Sequence, residues 1–130
     1  MMCAPKYKLN NLTAIIDYNK LSLSDATDDV MSLEPLIDKA KAFRWNTFEC
    51  NGHSVKELVE AFEWAKNTKN EKPNLIIAHT IKGKGVSYLE GKQECHAVSM
   101  PLDKVITTLK ELNCPQDEID ALVARIKEKK

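Results

Sequence analysis

The sequence predicts an α/β fold: a parallel sheet of about three strands flanked by helices, with two further helices at the C-terminal end. Three observations predict it. Short β-rich runs alternate with stretches of helical periodicity. Two of those runs are almost wholly apolar, as expected of strands covered on both faces. The last third of the chain carries helical patterns without a strand between them.

The first β-rich run is Leu12 to Asp17. A helical stripe follows, with apolar residues at Leu33, Leu36, Ile37, Ala40 and Phe43. The second run is Asn46 to Cys50. Ser54-Val55-Lys56-Glu57 then has the form of a capping box, in which Ser54 and Glu57 would satisfy each other's free backbone N–H groups. The helix it opens, to about Lys66, places Val55, Leu58, Val59, Phe62 and Ala65 on one stripe. The third run, Asn74 to His79, is again apolar. Strand–helix–strand–helix–strand implies right-handed crossovers between parallel strands. Thr80 to Pro101 has glycines and no clear period, and a loop of that length inside a compact domain is usually functional or disordered. Helices are expected over Leu102 to Leu112 and Gln116 to Lys127, separated by Asn113-Cys114-Pro115. Three strands make a thin sheet, and the first has no earlier β-α unit to cover its flank. The chain therefore reads as one partial domain over residues 1–130, with residues 102–130 as a helical extension, or as a domain that pairs with another chain.

Composition excludes several classes of function. The chain has 130 residues, of which 43% are hydrophobic and 29% charged. Nineteen basic residues balance nineteen acidic ones, so no net field holds nucleic acid or an anionic membrane. The Lys-rich end, Lys127 to Lys130, reads as a solvated helix end. No apolar run approaches membrane-spanning length, and the N-terminus has no signal-peptide core. Cys3, Cys50, Cys95 and Cys114 form no CxxC pair and have no histidine at metal-ligand spacing. Free thiols in a reducing, cytoplasmic compartment fit this pattern.

Two segments offer chemistry. Asp17-Tyr18-Asn19-Lys20-Leu21 follows the first strand at its C-terminal end, where open parallel sheets bind ligands. Asn19 has a neutral carbonyl oxygen suited to Mg²⁺ or Ca²⁺, and a backbone carbonyl two residues on can reach the same ion. Spacing alone favours a plain post-strand turn, since Asn and Asp suit turns. His79-Thr80-Ile81-Lys82-Gly83-Lys84-Gly85 ends the third strand. Its glycines would let the backbone approach a ligand, and a lysine there can neutralise phosphate. An exposed basic loop explains the same residues. His96 could move a proton or bond a hydroxyl, although a lone loop histidine is more often merely solvated. His53 reads as structural at the helix start, and His79 has no assigned role.

The order of these segments carries a resemblance. Tyr7 to Asn19 resembles the transketolase segment that closes the thiamine-diphosphate motif. Ala42-Phe43-Arg44-Trp45 is similar to that family's Ala-Phe-Gly-Trp, and Asn51-Gly52-His53 to its Asp-Gly-His. Ile77 to Gly85 resembles its Lys-Thr-x-Lys-Gly-x-Gly stretch, and the likeness runs from about Met2 to His96. The resemblance implies the second half of a three-layer thiamine-diphosphate-binding domain. It implies thiamine diphosphate with Mg²⁺ or Ca²⁺ as cofactors, and transfer of a two-carbon ketol unit between sugar phosphates. Asn19 would bind metal and contact the diphosphate, and the carbonyl of Leu21 would complete the metal shell. Lys82 would lie near the cofactor. His96 would contact diphosphate and substrate and act in proton transfer.

The family's Gly-Asp-Gly, with its metal-binding aspartate, is absent from this sequence, as is the pyrimidine-binding domain. The His96 loop departs too: Ala97 stands where the family usually has glycine. The resemblance therefore implies a partner chain carrying those parts, or a homo-oligomer, and weak cofactor binding by this chain alone. Two functional readings stay open: an enzyme fragment or one chain of a split enzyme, and a non-enzymatic interaction module or truncated product derived from transketolase.

Overall fold

A computed structural model describes residues 1–128. Lys129 and Lys130 of the Lys-rich end lie outside the described residues. The elements run α1 (Cys3–Lys6), β1 (Thr13–Tyr18), α2 (Thr27–Met31), α3 (Leu36–Ala42), β2 (Asn46–Asn51), α4 (Val55–Asn67), β3 (Asn74–His79), a 3₁₀ turn (Gln93–His96), α5 (Leu102–Glu111) and α6 (Gln116–Glu128). All three expected strands are present, each within a residue or two of its expected bounds. The expected helix over 33–43 is confined to α3, and α2 is an additional short helix.

The chain divides into two compact units, Met1–Thr80 and Ile81–Lys130. The first holds the sheet. Its strand order is β1-β3-β2, with both pairings parallel. β3 is central because Leu75, Ile76, Ile77 and Ala78 can be buried on both faces, and each is at most 5% exposed. On one face Leu75 and Ile77 pack with Tyr18, Ala40, Trp45 and Ala4. On the other, Ile76 and Ala78 pack with Cys50, Ala61 and Ala65, beside Phe48 and Trp64. Asn74 is buried yet satisfied: its amide donates to the Ala65 carbonyl at 3.0 Å and its oxygen accepts from Asn46 at 3.0 Å.

β1 does not meet the expectation of a strand covered on both faces. Ala14 and Ile16 pack on the first cluster, but Ile15 is 52% exposed. The reason is topological: β1 is an edge strand, and α4 lies on β2 and β3.

The cap of α4 also differs in detail. Ser54 accepts from the Glu57 N–H at 3.3 Å, as a capping box requires. The Glu57 carboxylate instead accepts from the Asn51 N–H at 2.8 Å, which ties the helix start to the end of β2.

The second unit is helical, and in it Val86, Leu89 and Ile119 are buried. Ser87 donates to Glu111 through both its N–H, at 2.7 Å, and its hydroxyl, at 2.6 Å. These donors hold the Glu111 carboxyl below its usual range.

Candidate functional site

The C-terminal ends of the strands bring together Asp17, Tyr18 and Asn19 after β1, Asn51 after β2, and His79 and Thr80 after β3. Asn19 is half-buried, and its side-chain oxygen accepts from the Leu21 N–H at 3.0 Å. This is an Asx turn, with Lys20 in the left-handed region at φ 60°. The turn residues are thus used as turn residues. The carbonyl oxygen keeps a second lone pair for a ligand. Leu21 is half-buried and bridges to Ala26.

Asp17 joins the site although its sequence context does not single it out. It is exposed at the strand end, and one carboxylate oxygen accepts from the Thr80 hydroxyl. The same oxygen lies 3.4 Å from the Asn19 amide nitrogen. That contact turns the Asn19 oxygen away from Asp17 and toward the turn. Thr80 can stand there because position 52 is glycine. A Cβ on Gly52 would overlap the Thr80 methyl and would sit 3.2 Å from the His79 carbonyl oxygen. The alternation of the strand could have flagged Asp17, since it shares a face with Ile15. Its partner Thr80 is too distant in sequence for any local pattern to show.

Tyr18 and His79 form a second cluster. The Tyr18 hydroxyl donates to Glu34 at 2.5 Å, and its ring meets the His79 ring edge-on at 5.5 Å. His79 in turn is 2.8 Å from Glu49. His79, to which the sequence assigns no role, is therefore a linking residue between β1 and β2. The Glu34 hydrogen bond, burial and nearby carboxylates push the Tyr18 pKa up to about 12, and the same hydrogen bond lowers that of Glu34. The raised tyrosine contributes stability that is complete below its unfolded value of 10.0 and is lost as pH rises toward about 12. The lowered carboxyl contributes stability that is present above its unfolded value of 4.5 and is lost as pH falls through its folded value. The stability difference between the wild type and Tyr18→Phe should therefore be constant across neutral pH and shrink at both extremes. Urea unfolding at a series of pH values measures it, and a difference that does not vary with pH at either extreme would refute the assignment.

In the second unit, Lys82 is half-buried at the start of the glycine-bearing loop. Its carbonyl accepts from the Gly91 N–H at 2.8 Å, closing the segment between them. Lys84 and the Gly85 N–H both bind Glu90, at 2.8 and 2.9 Å. Gly83 has φ 71°, and a Cβ there would sit 2.7 Å from the Leu89 carbonyl oxygen and 3.0 Å from the Cys95 sulfur. Gly83→Ala is expected to cost about 1–3 kcal/mol from overpacking, beyond the left-handed penalty. Faster amide exchange from Lys82 to Gly91 would report it. Wild-type exchange rates there would count against this account of the loop. His96 ends the 3₁₀ turn and is exposed.

Among the described residues, no group of three or more His, Cys, Asp or Glu side chains could hold a metal ion by itself. The donor set at the β1 end is the neutral Asn19 amide oxygen with the backbone carbonyls beside it, since the Asp17 carboxylate oxygen already accepts from Thr80 and lies against the Asn19 amide. Such a set fits a hard divalent cation that takes most of its charge from other oxygens, such as phosphates. Among the described residues, no helix is long and apolar enough to cross a membrane.

The family profile described as "Transketolase, thiamine diphosphate binding domain" matches residues 1–125. The chain belongs to this transketolase family. It is 47% identical over 95 residues to an apulose-4-phosphate transketolase subunit of Phocaeicola vulgatus, covering 73% of this chain and 34% of that protein. It is 41% identical over 99 residues to a 6-deoxy-6-sulfo-D-fructose transketolase subunit of a Clostridium species, covering 76% of this chain and 36% of that protein. The crystal structure of Campylobacter jejuni transketolase superposes with a TM-score of 0.78 at 25% identity, covering 98% of this chain and 23% of that one. The chain thus spans about a third of the subunit relatives, and 17% of human transketolase. The sheet and its flanking helices are those of the transketolase thiamine-diphosphate-binding domain.

Proposed function

We propose that this chain forms part of the thiamine-diphosphate site of a transketolase-type enzyme and works with a second chain. That chain would carry the missing anionic metal ligand and the pyrimidine-binding domain. The observation that supports this reading best is the match to proteins named as transketolase subunits, together with a C-terminal sheet edge that presents Asn19.

In this reading the Asn19 side-chain oxygen and the Leu21 carbonyl hold Mg²⁺ or Ca²⁺, and Asp17 keeps the Asn19 amide oriented. Lys82 balances diphosphate charge as a point cation. His96 bonds diphosphate and substrate hydroxyl and moves a proton between them and solvent. Thiamine diphosphate, when bound, supplies the carbanion that carries a two-carbon ketol unit between sugar phosphates. We infer a cytoplasmic location, in keeping with four free thiols.

Calorimetry with thiamine diphosphate and Mg²⁺ tests the proposal. No measurable binding is expected for the chain alone. Binding should appear once a chain bearing Gly-Asp-Gly is added. Binding of equal strength with and without that chain would sink the two-chain reading, and no binding in either arm would sink the cofactor role.

A further inference from the structure

The end of the sheet opposite Asn19 carries a concentration of positive charge that the cofactor reading leaves unused. The strands are six residues long, so about 17–20 Å separates the two ends. Two open hollows adjoin at this far end, sharing Pro5 and Arg44 in their linings. One, of about 320 Å³, has an apolar wall that includes Met2, Pro5 and Phe43, with Lys6 beside it. The other, of about 430 Å³, is lined by Lys8, Arg44 and Lys72, with Glu71 as its one carboxylate. Four cations thus face one acid, in a chain whose formal net charge is zero. Lys8 pairs with that acid at 2.9 Å. Lys6, Arg44 and Lys72 form no ion pair among the described residues.

The backbone around the hollows is pinned. Asn46 and Asn70 exchange side-chain hydrogen bonds at 2.9 and 3.1 Å, and the Asn70 oxygen also accepts from the Lys72 N–H at 2.9 Å. Arg44 sits just past α3. Its N–H donates to the Lys41 carbonyl at 2.8 Å, and that of Trp45 to the Ala40 carbonyl at 3.1 Å, the two bonds of a Schellman motif. The motif needs a left-handed residue, and Arg44 has φ 63°. Glycine suits that position best, and the segment that Ala42 to Trp45 resembles has glycine there. Lys8, on the second hollow, is left-handed too, at φ 52°. Closing α3 does not require arginine, since glycine would do so with less strain and a cation need only lie near a helix C-terminus. Strained backbone under a charged side chain that has no partner points to a ligand.

We propose that the paired hollows bind a small anion that joins an apolar ring to several phosphates, a nucleoside polyphosphate by chemical class. The ring lies on Pro5 and Phe43, and the phosphates reach Arg44 and Lys72. Arg44 stands on the boundary of the two hollows, where its planar fork can take two phosphate oxygens. Lys8 joins them once it leaves Glu71, and an exposed ion pair of that kind is weak enough to yield. Size favours a small molecule: each hollow falls at the low end of the range for ligand pockets, about 300–1,000 Å³. This inference goes beyond the cofactor reading and does not depend on it.

Calorimetry and amide chemical shifts of the full chain test the proposal, without Mg²⁺ or thiamine diphosphate. The probes are ATP, tripolyphosphate and adenosine. ATP should bind saturably and shift the amides of Phe43, Arg44 and Lys72. Tripolyphosphate should bind at the same amides more weakly, and adenosine more weakly still. Arg44→Gly should weaken ATP binding at least about tenfold, the effect of one charge-assisted hydrogen bond, without lowering the thermal midpoint. An arginine with only a structural role would show the reverse: a lower midpoint and unchanged affinity. Phe43→Ser should weaken ATP but not tripolyphosphate. Lys56→Gln, which removes one exposed charge from α4, should leave both unchanged. Four results would overturn the proposal: no shift at the three amides, tripolyphosphate bound as tightly as ATP, equal losses in Arg44→Gly and Lys56→Gln, or an RNA oligomer bound more tightly than ATP. Loss of thiamine-diphosphate binding alone would touch only the cofactor reading.

Discussion

Ile77→Ala should destabilise the first unit by about 2–5 kcal/mol, the usual range for truncating a buried isoleucine. Ile77 is 1% exposed at the centre of β3, against Leu75, Tyr18, Ala40 and Trp45. Its neighbours sit on a sheet and a helix that cannot collapse into the gap without breaking the β1-β3-β2 ladder. Small domains have total stabilities of about 5–15 kcal/mol, so this one change removes a large part of the margin. The paired control is Ile15→Ala. Ile15 stands in register with Ile76 on the neighbouring strand but is 52% exposed, so its truncation should cost well under half as much. Urea midpoints for the two variants decide the matter. Equal losses would mean that β1 is covered on both faces in solution.

Asn19→Ala should weaken Mg²⁺-dependent thiamine-diphosphate binding by the partnered assembly at least about 10–100-fold, the range seen when groups that merely support metal ligands are removed. The substitution deletes the side-chain oxygen that the Asx turn presents, and with it the hydrogen bond to the Leu21 N–H at 3.0 Å. Loss of that bond costs the chain about 0.5–1.5 kcal/mol, which leaves it folded. Asn19→Asp keeps an oxygen in place and retains the turn, so it should preserve metal binding. Calorimetry on the assembly and urea unfolding of the free chain separate the two effects. Undiminished cofactor affinity in Asn19→Ala would remove Asn19 from the metal shell.

The helix start at Ser54 and all three strands were legible because the signals are local. A cap uses residues three apart, and an apolar run marks a strand wherever it lies. The Asn19 turn was legible for the same reason. The pairing of Asp17 with Thr80 was not, because that hydrogen bond joins residues sixty-three positions apart. Nor was the link from Tyr18 to Glu34 and His79, which depends on how a loop folds back across the ends of β1 and β3.

Leu12 to Asp17 and Asn74 to His79 show the division best. By itself the sequence determined that both are strands, that helices alternate with them, and that Asn19 and Lys82 follow strand ends. Their apolar runs are nearly equivalent as text. Only the tertiary structure decided that β3 lies between the other two and is buried on both faces, while β1 keeps Ile15 in water. The physical reason is that burial belongs to a strand's neighbours, which are set by where each crossover returns the chain.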